Sequence, residues 1–343
     1  MIDFRYHLVS IVAVFLALAI GIVLGSTELQ GPAYNLLDKT TSKLQSELGQ
    51  VSSQRDTAQQ QATEGEMYAQ AVEPTVLHDL LTGQRLLIVT EPGAQSSVVS
   101  GISSAALAAG ASITGQINLA TKFFDSSGTA QDSLNQTTLD VAQAAGLQLD
   151  SSATYQQQAA QVIASEILDK AAASSAGKPP ADQVTEASTM LQAYAASQFL
   201  STTGQPSSPA TLVVVVTPQN PPSDGSADQL DQVLIPLVTE LAAKSSATVV
   251  VGSSAGSGAG SPIAVLRSNN VSSQVSTVDN ADLVAGQTVA MQALAVGLAG
   301  GKAGSYGFTA NGASAIAPSP APTPSGSASA TPTSSSTKKK VNK

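Results

Sequence analysis

Residues 8–25, LVSIVAVFLALAIGIVLG, carry no charge and only Ser10 as a hydrogen-bonding side chain. At ~1.5 Å per residue, ~18 residues rise about 27 Å, close to the ~30 Å hydrocarbon core of a bilayer. A lone segment satisfies its backbone there only as a helix. A secretory signal would have a shorter apolar region and a small-x-small cleavage site. Here the run passes into Gly25-Ser26-Thr27-Glu28 without one, so the pattern predicts an uncleaved transmembrane helix over 8–25.

The period then changes. Leu37, Leu44, Val51 and Ala58 recur every seven residues, and Tyr34, Thr41, Leu48 and Ala62 fill the offset position, which predicts a helical coiled-coil stalk over 28–73. Its seam is strongest at Leu37, Leu44, Leu48 and Val51, and thins at Arg55, Ala58 and Ala62. Inside the apolar run, Ala17, Gly21 and Gly25 stand four apart, a small-xxx-small face that lets two membrane helices approach closely. Gly and Ala are also simply common in membrane helices. Taken with the seam, this face predicts a parallel homodimer in membrane lipid.

From residue 75 to 310 the pattern is that of an α/β domain. RLLIVT (85–90) reads as a buried parallel strand ending in Glu91-Pro92-Gly93, residues 96–109 as a helix, and SITGQINL (112–119) as a second strand. Residues 121–205 are helical and polar and predict a helical insertion, with Lys178-Pro179-Pro180 dividing two of its helices. TLVVVVTP (211–218), the most β-branched run, predicts the central strand. After the turn Pro218 to Pro222, Ser226 and Gln229 form a capping-box pattern for a helix bent at Pro236. Strands at 247–253 and 274–278 follow, with a short helix from Pro262 between them and a last helix, Ala281 to Leu298, capped by Asn280. Five strands alternating with helices predict a Rossmann-like, mostly parallel sheet. Residues 311–343 are an Ala/Pro/Ser/Thr tail too poor in apolar bulk to fold, ending KKKVNK.

Charge sets orientation and excludes partners. Arg5 precedes the apolar run, whereas Glu28 follows it before Lys39 and Lys43, so the positive-inside rule puts residues 1–7 in the cytoplasm and the bulk outside. A formal charge of −9 argues against nucleic acid. The lysines of the tail are a candidate contact with acidic wall polymers.

The opening MIDFRYHLVSIVAVFLALAIGIVLGSTELQGP (1–32), with VSTVDNADLVAGQ (275–287) and Ser305-Tyr306-Gly307, resembles the actinobacterial copper transporter family, that of mycobacterial copper transport protein B. The resemblance extends to about residue 308. It implies a single-pass envelope protein, either acting in copper export and homeostasis or serving as a non-enzymatic scaffold. In the latter role, residues Met1–His7 and the anchor would couple a cytoplasmic cell-division factor to peptidoglycan hydrolysis outside.

Candidate chemistry is sparse. Cysteine is absent, and the only Met and His are Met1, Met67, Met190, Met291, His7 and His78, with no MxxM or HxxxH spacing for soft copper. No metal, cofactor or catalytic residue is assigned, and the chain reads as a non-enzyme. GSSAGSGAGS (252–261), with Asp279 about 20 residues on, approaches a dinucleotide fingerprint. However, Gly256, Gly258 and Gly260 give GxGxG, with Ser261 where the third glycine belongs. Asp224, Asp228 and Asp231 stand at the start of the helix bent at Pro236, and its dipole accounts for two of the three without a catalytic role.

Overall fold

The computed structural model describes residues 4–170, 181–219, 230–256, 260–307, 313, 315, 317 and 318. Lys178-Pro179-Pro180, Ser226 with Gln229, Asp224 and Asp228, Gly258, Met1 to Asp3 and nearly all of the tail lie outside them, as does the side chain of Asp231. The chain divides into two units, Met1–Met67 and Tyr68–Lys343.

The first unit is carried by α1 (Phe4–Leu77), a helix of 74 residues. Its stretch Arg5–Gly25 has a mean hydropathy of 2.9 and no buried residue, and is long and apolar enough to cross a membrane. A Cβ added at Gly21 or Gly25 would meet nothing within 4 Å. Leu37, Leu44, Leu48 and Val51 are 54–69 % exposed, so in the single chain the heptad seam touches no partner surface.

The second unit is built on β1 (Arg85–Thr90), β2 (Ser112–Leu119), β3 (Leu200–Gly204), β4 (Leu212–Val216), β5 (Ala247–Val251), β6 (Ser276–Val278) and β7 (Ser305–Tyr306). They form one sheet in the order β3-β2-β1-β4-β5-β6-β7. All neighbours are parallel except β3, which runs antiparallel to β2. The run LVVVV lies at the centre, as the β-branched pattern predicts, with every residue at most 1 % exposed.

Because period-two side chains emerge on both faces, both must be covered. On one face Leu86, Ile88, Val214 and Val251 pack with α2 (Ser96–Ala108), the last helix of the unit and the leucines Leu77 and Leu81. On the other, Leu87, Val89, Val213 and Val215 pack with α3 (Gly128–Ala145), α4 (Tyr155–Ile167), α5 (Ala181–Ala196) and α6 (Ile235–Lys244).

Four expectations change. There are seven strands rather than five among the described residues: β3 hides at the end of the polar middle, and β7 has only two residues. The helices of 121–205 are not a separate insertion, since α3, α4 and α5 supply one layer of the core and end in β3. The helix around Pro236 is not of one type throughout. A π-helical turn, Leu230–Leu234, runs directly into α6, and Pro236 stands at this change of helix type, where it supplies no N–H to the ladder.

Finally, Asn280 does not cap α8 (Val284–Leu298), which has Leu283 at its N-cap. The turn between β6 and α8 is instead drawn tight by Asp282, whose carboxylate accepts from the N–H and Oγ of Ser254 at 2.8 and 3.0 Å. It is tightened further by Gly286, where a Cβ would fall 2.0 Å from the carbonyl oxygen of Asn280. Between β5 and β6, α7 (Pro262–Ser268) begins as the sequence predicts, with Ser261 accepting from the N–H of Ala264.

One buried ion pair ties the far edge of the sheet together. Arg267 of α7 is 3 % exposed and donates to Asp279, 0 % exposed, at 2.9 Å, to Thr277 Oγ1 at 2.9 Å and to the Tyr306 carbonyl at 2.7 Å. Gly307, with φ +135°, leaves room for the carboxylate: a Cβ there would lie 1.8 Å from Asp279 Oδ1. Removing one member of a buried pair strands the other charge, at a cost of about 3–5 kcal/mol. Arg267→Ala is therefore expected to lower the free energy of urea unfolding by about that amount, whereas Arg267→Met with Asp279→Leu loses much less. Equal losses in the two variants would show that packing, not the stranded charge, sets the cost.

Candidate functional site

In a parallel sheet, ligands are met beyond the carboxyl ends of the strands, where the strand order reverses. Here the connection from β1 leads outward to β2, and that from β4 leads the opposite way to β5, so the reversal lies between β1 and β4. The residues just past those two ends are Glu91 and Thr217. The Glu91 N–H donates to the Val216 carbonyl at 3.0 Å, and Ala94 bridges Pro218, closing the two ends over one another. Gly93 permits this approach, with φ +86° and the Pro218 Cβ 3.3 Å from where its own would be.

Beside this closure, toward β2, lies a crevice of about 400 Å³ lined by Thr90, Glu91, Ser96, Ser100, Gln116 and Asn118 over the apolar side chains of Val99 and Leu119. Its polar groups form a relay: Thr90 Oγ1 donates to Asn118 Oδ1 at 2.8 Å, and Gln116 Nε2 donates to the same oxygen. Glu91 is 4 % exposed, and its Oε1 has no hydrogen-bond partner. Burial pushes its carboxyl up to about 8, so the group is neutral at pH 7. The fold thus binds this proton more tightly than the unfolded chain does, and the associated stability is lost as pH rises from about 4.5 through about 8.

A second pocket, of about 340 Å³, lies among α3, α4 and α5, with Val141, Met190 and Ala193 in its floor and Asp140, Glu166 and Glu186 among its lining. Burial, and then the neighbouring charge of Glu186, raise the carboxyl of Glu166.

The residues singled out by sequence disperse. Asp279, placed to hold a ribose in the dinucleotide reading, is consumed by Arg267, and the glycine-rich loop follows β5 rather than β1 and leads into a helix of only seven residues. Met190 and Met291 lie in the cores on opposite faces of the sheet. Met67 is exposed, and His78 is exposed beside Asp79 at 3.1 Å. Among the described residues no three His, Cys, Asp or Glu side chains are grouped to hold a metal ion. Glu91 was missed because nothing in Thr90-Glu91-Pro92 distinguishes a turn carboxylate at the surface from one drawn under it. An acid directly after a continuous apolar strand was the available signal.

Residues 1–318 match the model of a family described as "Copper transport outer membrane protein, MctB". The chain is similar to proteins named Copper transporter MctB of Mycobacterium tuberculosis and Mycobacterium bovis. Each is 27 % identical over 323 residues, covering 92 % of this chain and 99 % of the relative. The protein of the same name from Mycobacterium leprae is 26 % identical over 324 residues, with the same coverage. The match of a family model to nearly the whole described chain, through the opening apolar segment and the sheet alike, places this protein in the MctB family of copper transport proteins.

Proposed function

We propose that this is a single-pass envelope protein acting in copper efflux and homeostasis, with its N-terminus in the cytoplasm and its Rossmann-like domain outside. The observation that carries the reading is the wholly unburied apolar stretch Arg5–Gly25, in a chain whose relatives are named copper transporters. Copper is then cargo, and the donor chemistry limits where it travels. Soft copper is held by Cys, Met or His, and the described residues bring no such set together. A single helix also encloses no polar path.

The reading therefore includes self-association through Ala17, Gly21 and Gly25 in the membrane and through Leu37, Leu44, Leu48 and Val51 in a parallel coiled-coil stalk. The four stalk residues offer an exposed apolar seam of the spacing that a second copy in register would cover. The tail lysines remain a candidate wall contact. A second reading, the scaffold joining a cytoplasmic division factor at Met1–His7 to wall hydrolysis outside, draws on the same dispersal of copper ligands.

Deleting the gene from its host is expected to raise intracellular copper and copper sensitivity, with the full chain restoring both. Unchanged copper content alongside defective division would replace the first reading with the second. Because the chain has no cysteine, dimerisation has a clean test in Leu44→Cys. Oxidation in native membranes is expected to give a disulfide-linked dimer, whereas Ser46→Cys, on the outward side of the predicted heptad, gives little. Monomer alone from Leu44→Cys would remove the stalk dimer.

A further inference from the structure

Among the described residues, three buried polar side-chain atoms lack a partner: Glu91 Oε1, Gln161 Oε1 and Asn280 Oδ1. Glu91 and Asn280 stand just beyond the carboxyl ends of parallel strands, β1 and β6. Leaving such a group unmet costs about 1–3 kcal/mol. Glu91 is also one of the residues lining the crevice of about 400 Å³, with Oε1 itself just beneath the accessible surface, so a side-chain rotation brings that oxygen to a ligand.

The chemistry of the lining selects the ligand. Among the described residues no Lys, Arg or His lines the crevice, and where dinucleotide folds place a glycine-rich phosphate loop after the first strand this chain has Glu91-Pro92. A phosphate or carboxylate would find no counter-charge there. What is present is a set of hydroxyls (Thr90, Ser96, Ser100), carboxamides (Gln116, Asn118) and a carboxyl group, beside the aliphatic side chains of Val99 and Leu119. Hydroxyls and carboxamides both donate and accept, and apolar contact beside them suits a molecule with alternating O–H and C–H surface. The volume of about 400 Å³ lies in the range of small-ligand sites.

We infer that the crevice between β1, β2 and α2 is a binding site for a neutral carbohydrate, with the Glu91 carboxyl hydrogen-bonding a sugar oxygen and Thr90, Gln116 and Asn118 fixing its orientation. This site is separate from any copper path and does not depend on it. Glu91 donates only while it holds its proton, and a sugar covering it further disfavours the charged form. Affinity therefore falls as pH rises through about 8. No other titratable group among the described residues lines the crevice.

The test is calorimetric titration of the full chain, in lipid nanodiscs free of sugar detergents, with chitotriose, maltotriose and mannotriose, and with glucose 6-phosphate as an anionic comparison. At least one neutral trisaccharide is expected to bind saturably at pH 6.5 and to weaken several-fold by pH 9. Glu91→Gln, a neutral isostere, is expected to bind with a flat pH profile, and Glu91→Leu to bind about tenfold more weakly or worse. Urea unfolding of both variants separates loss of the site from loss of the fold. Binding that ignores both Glu91 substitutions, tighter binding of the sugar phosphate, or no binding of any trisaccharide by the folded wild-type chain would each overturn the inference.

Discussion

The α/β unit depends on a strand that water cannot reach from either side. Leu212–Val216 are at most 1 % exposed, and five such side chains contribute on the order of 10 kcal/mol of burial, comparable with the whole net stability of a domain. Such a strand exists only with neighbours on both edges and helices on both faces. The parallel partners β1 and β5 follow from the first requirement, and the two helical layers from the second. The same requirement leaves the faces of the central strands β1, β4 and β5 to packing. Buried polar groups gather at strand ends, where Glu91, Asp279 and Asn280 are found.

These strand-end groups have diverged in use. The segment VSTVDNADLVAGQ spends its polar residues on itself. Asp279 holds Arg267, Asp282 holds the Ser254 backbone, Gln287 donates to the Ala281 carbonyl, and Gly286 lets the helix approach the turn. A distinctive motif in this chain is thus the seam at which α7, β6, β7 and α8 meet, and a dense run of Asp, Asn and Gln there signals construction rather than catalysis. Asn280 Oδ1 in that segment and Glu91 Oε1 are the strand-end exceptions, both buried without a partner, and of these two Glu91 lines the crevice beside β2.

The strongly patterned elements were legible in the sequence. β1 and β2 fall on RLLIVT and SITGQINL because continuous aliphatic runs bounded by turn residues have few other solutions. What stayed hidden has a common cause in long-range pairing. LSTTG carries no strand signal of its own and becomes β3 because Gly115 to Leu119 of β2 offers an unpaired edge. Ser305-Tyr306 becomes β7 because β6 needs a neighbour and Arg267 reaches the Tyr306 carbonyl. The crevice was illegible for the same reason. Glu91 and Asn118 are 27 positions apart in sequence and line one cavity through the pairing of Thr90 with Asn118.

The chemistry of that crevice and the chemistry of copper exclude one another. A copper ion drawn to Glu91 would have to displace its proton below pH 8, and the neighbouring donors are hydroxyl and carboxamide oxygens, hard ligands that suit neither copper oxidation state as well as nitrogen or sulfur. The thioethers that would suit it, Met190 and Met291, are locked in separate cores with the sheet between them. An ion can pass between two packed aliphatic layers only if the domain opens, at a cost near its full stability. Among the described residues the α/β unit thus offers copper no grouped set of soft donors, and its crevice at the switch point offers only oxygen ligands.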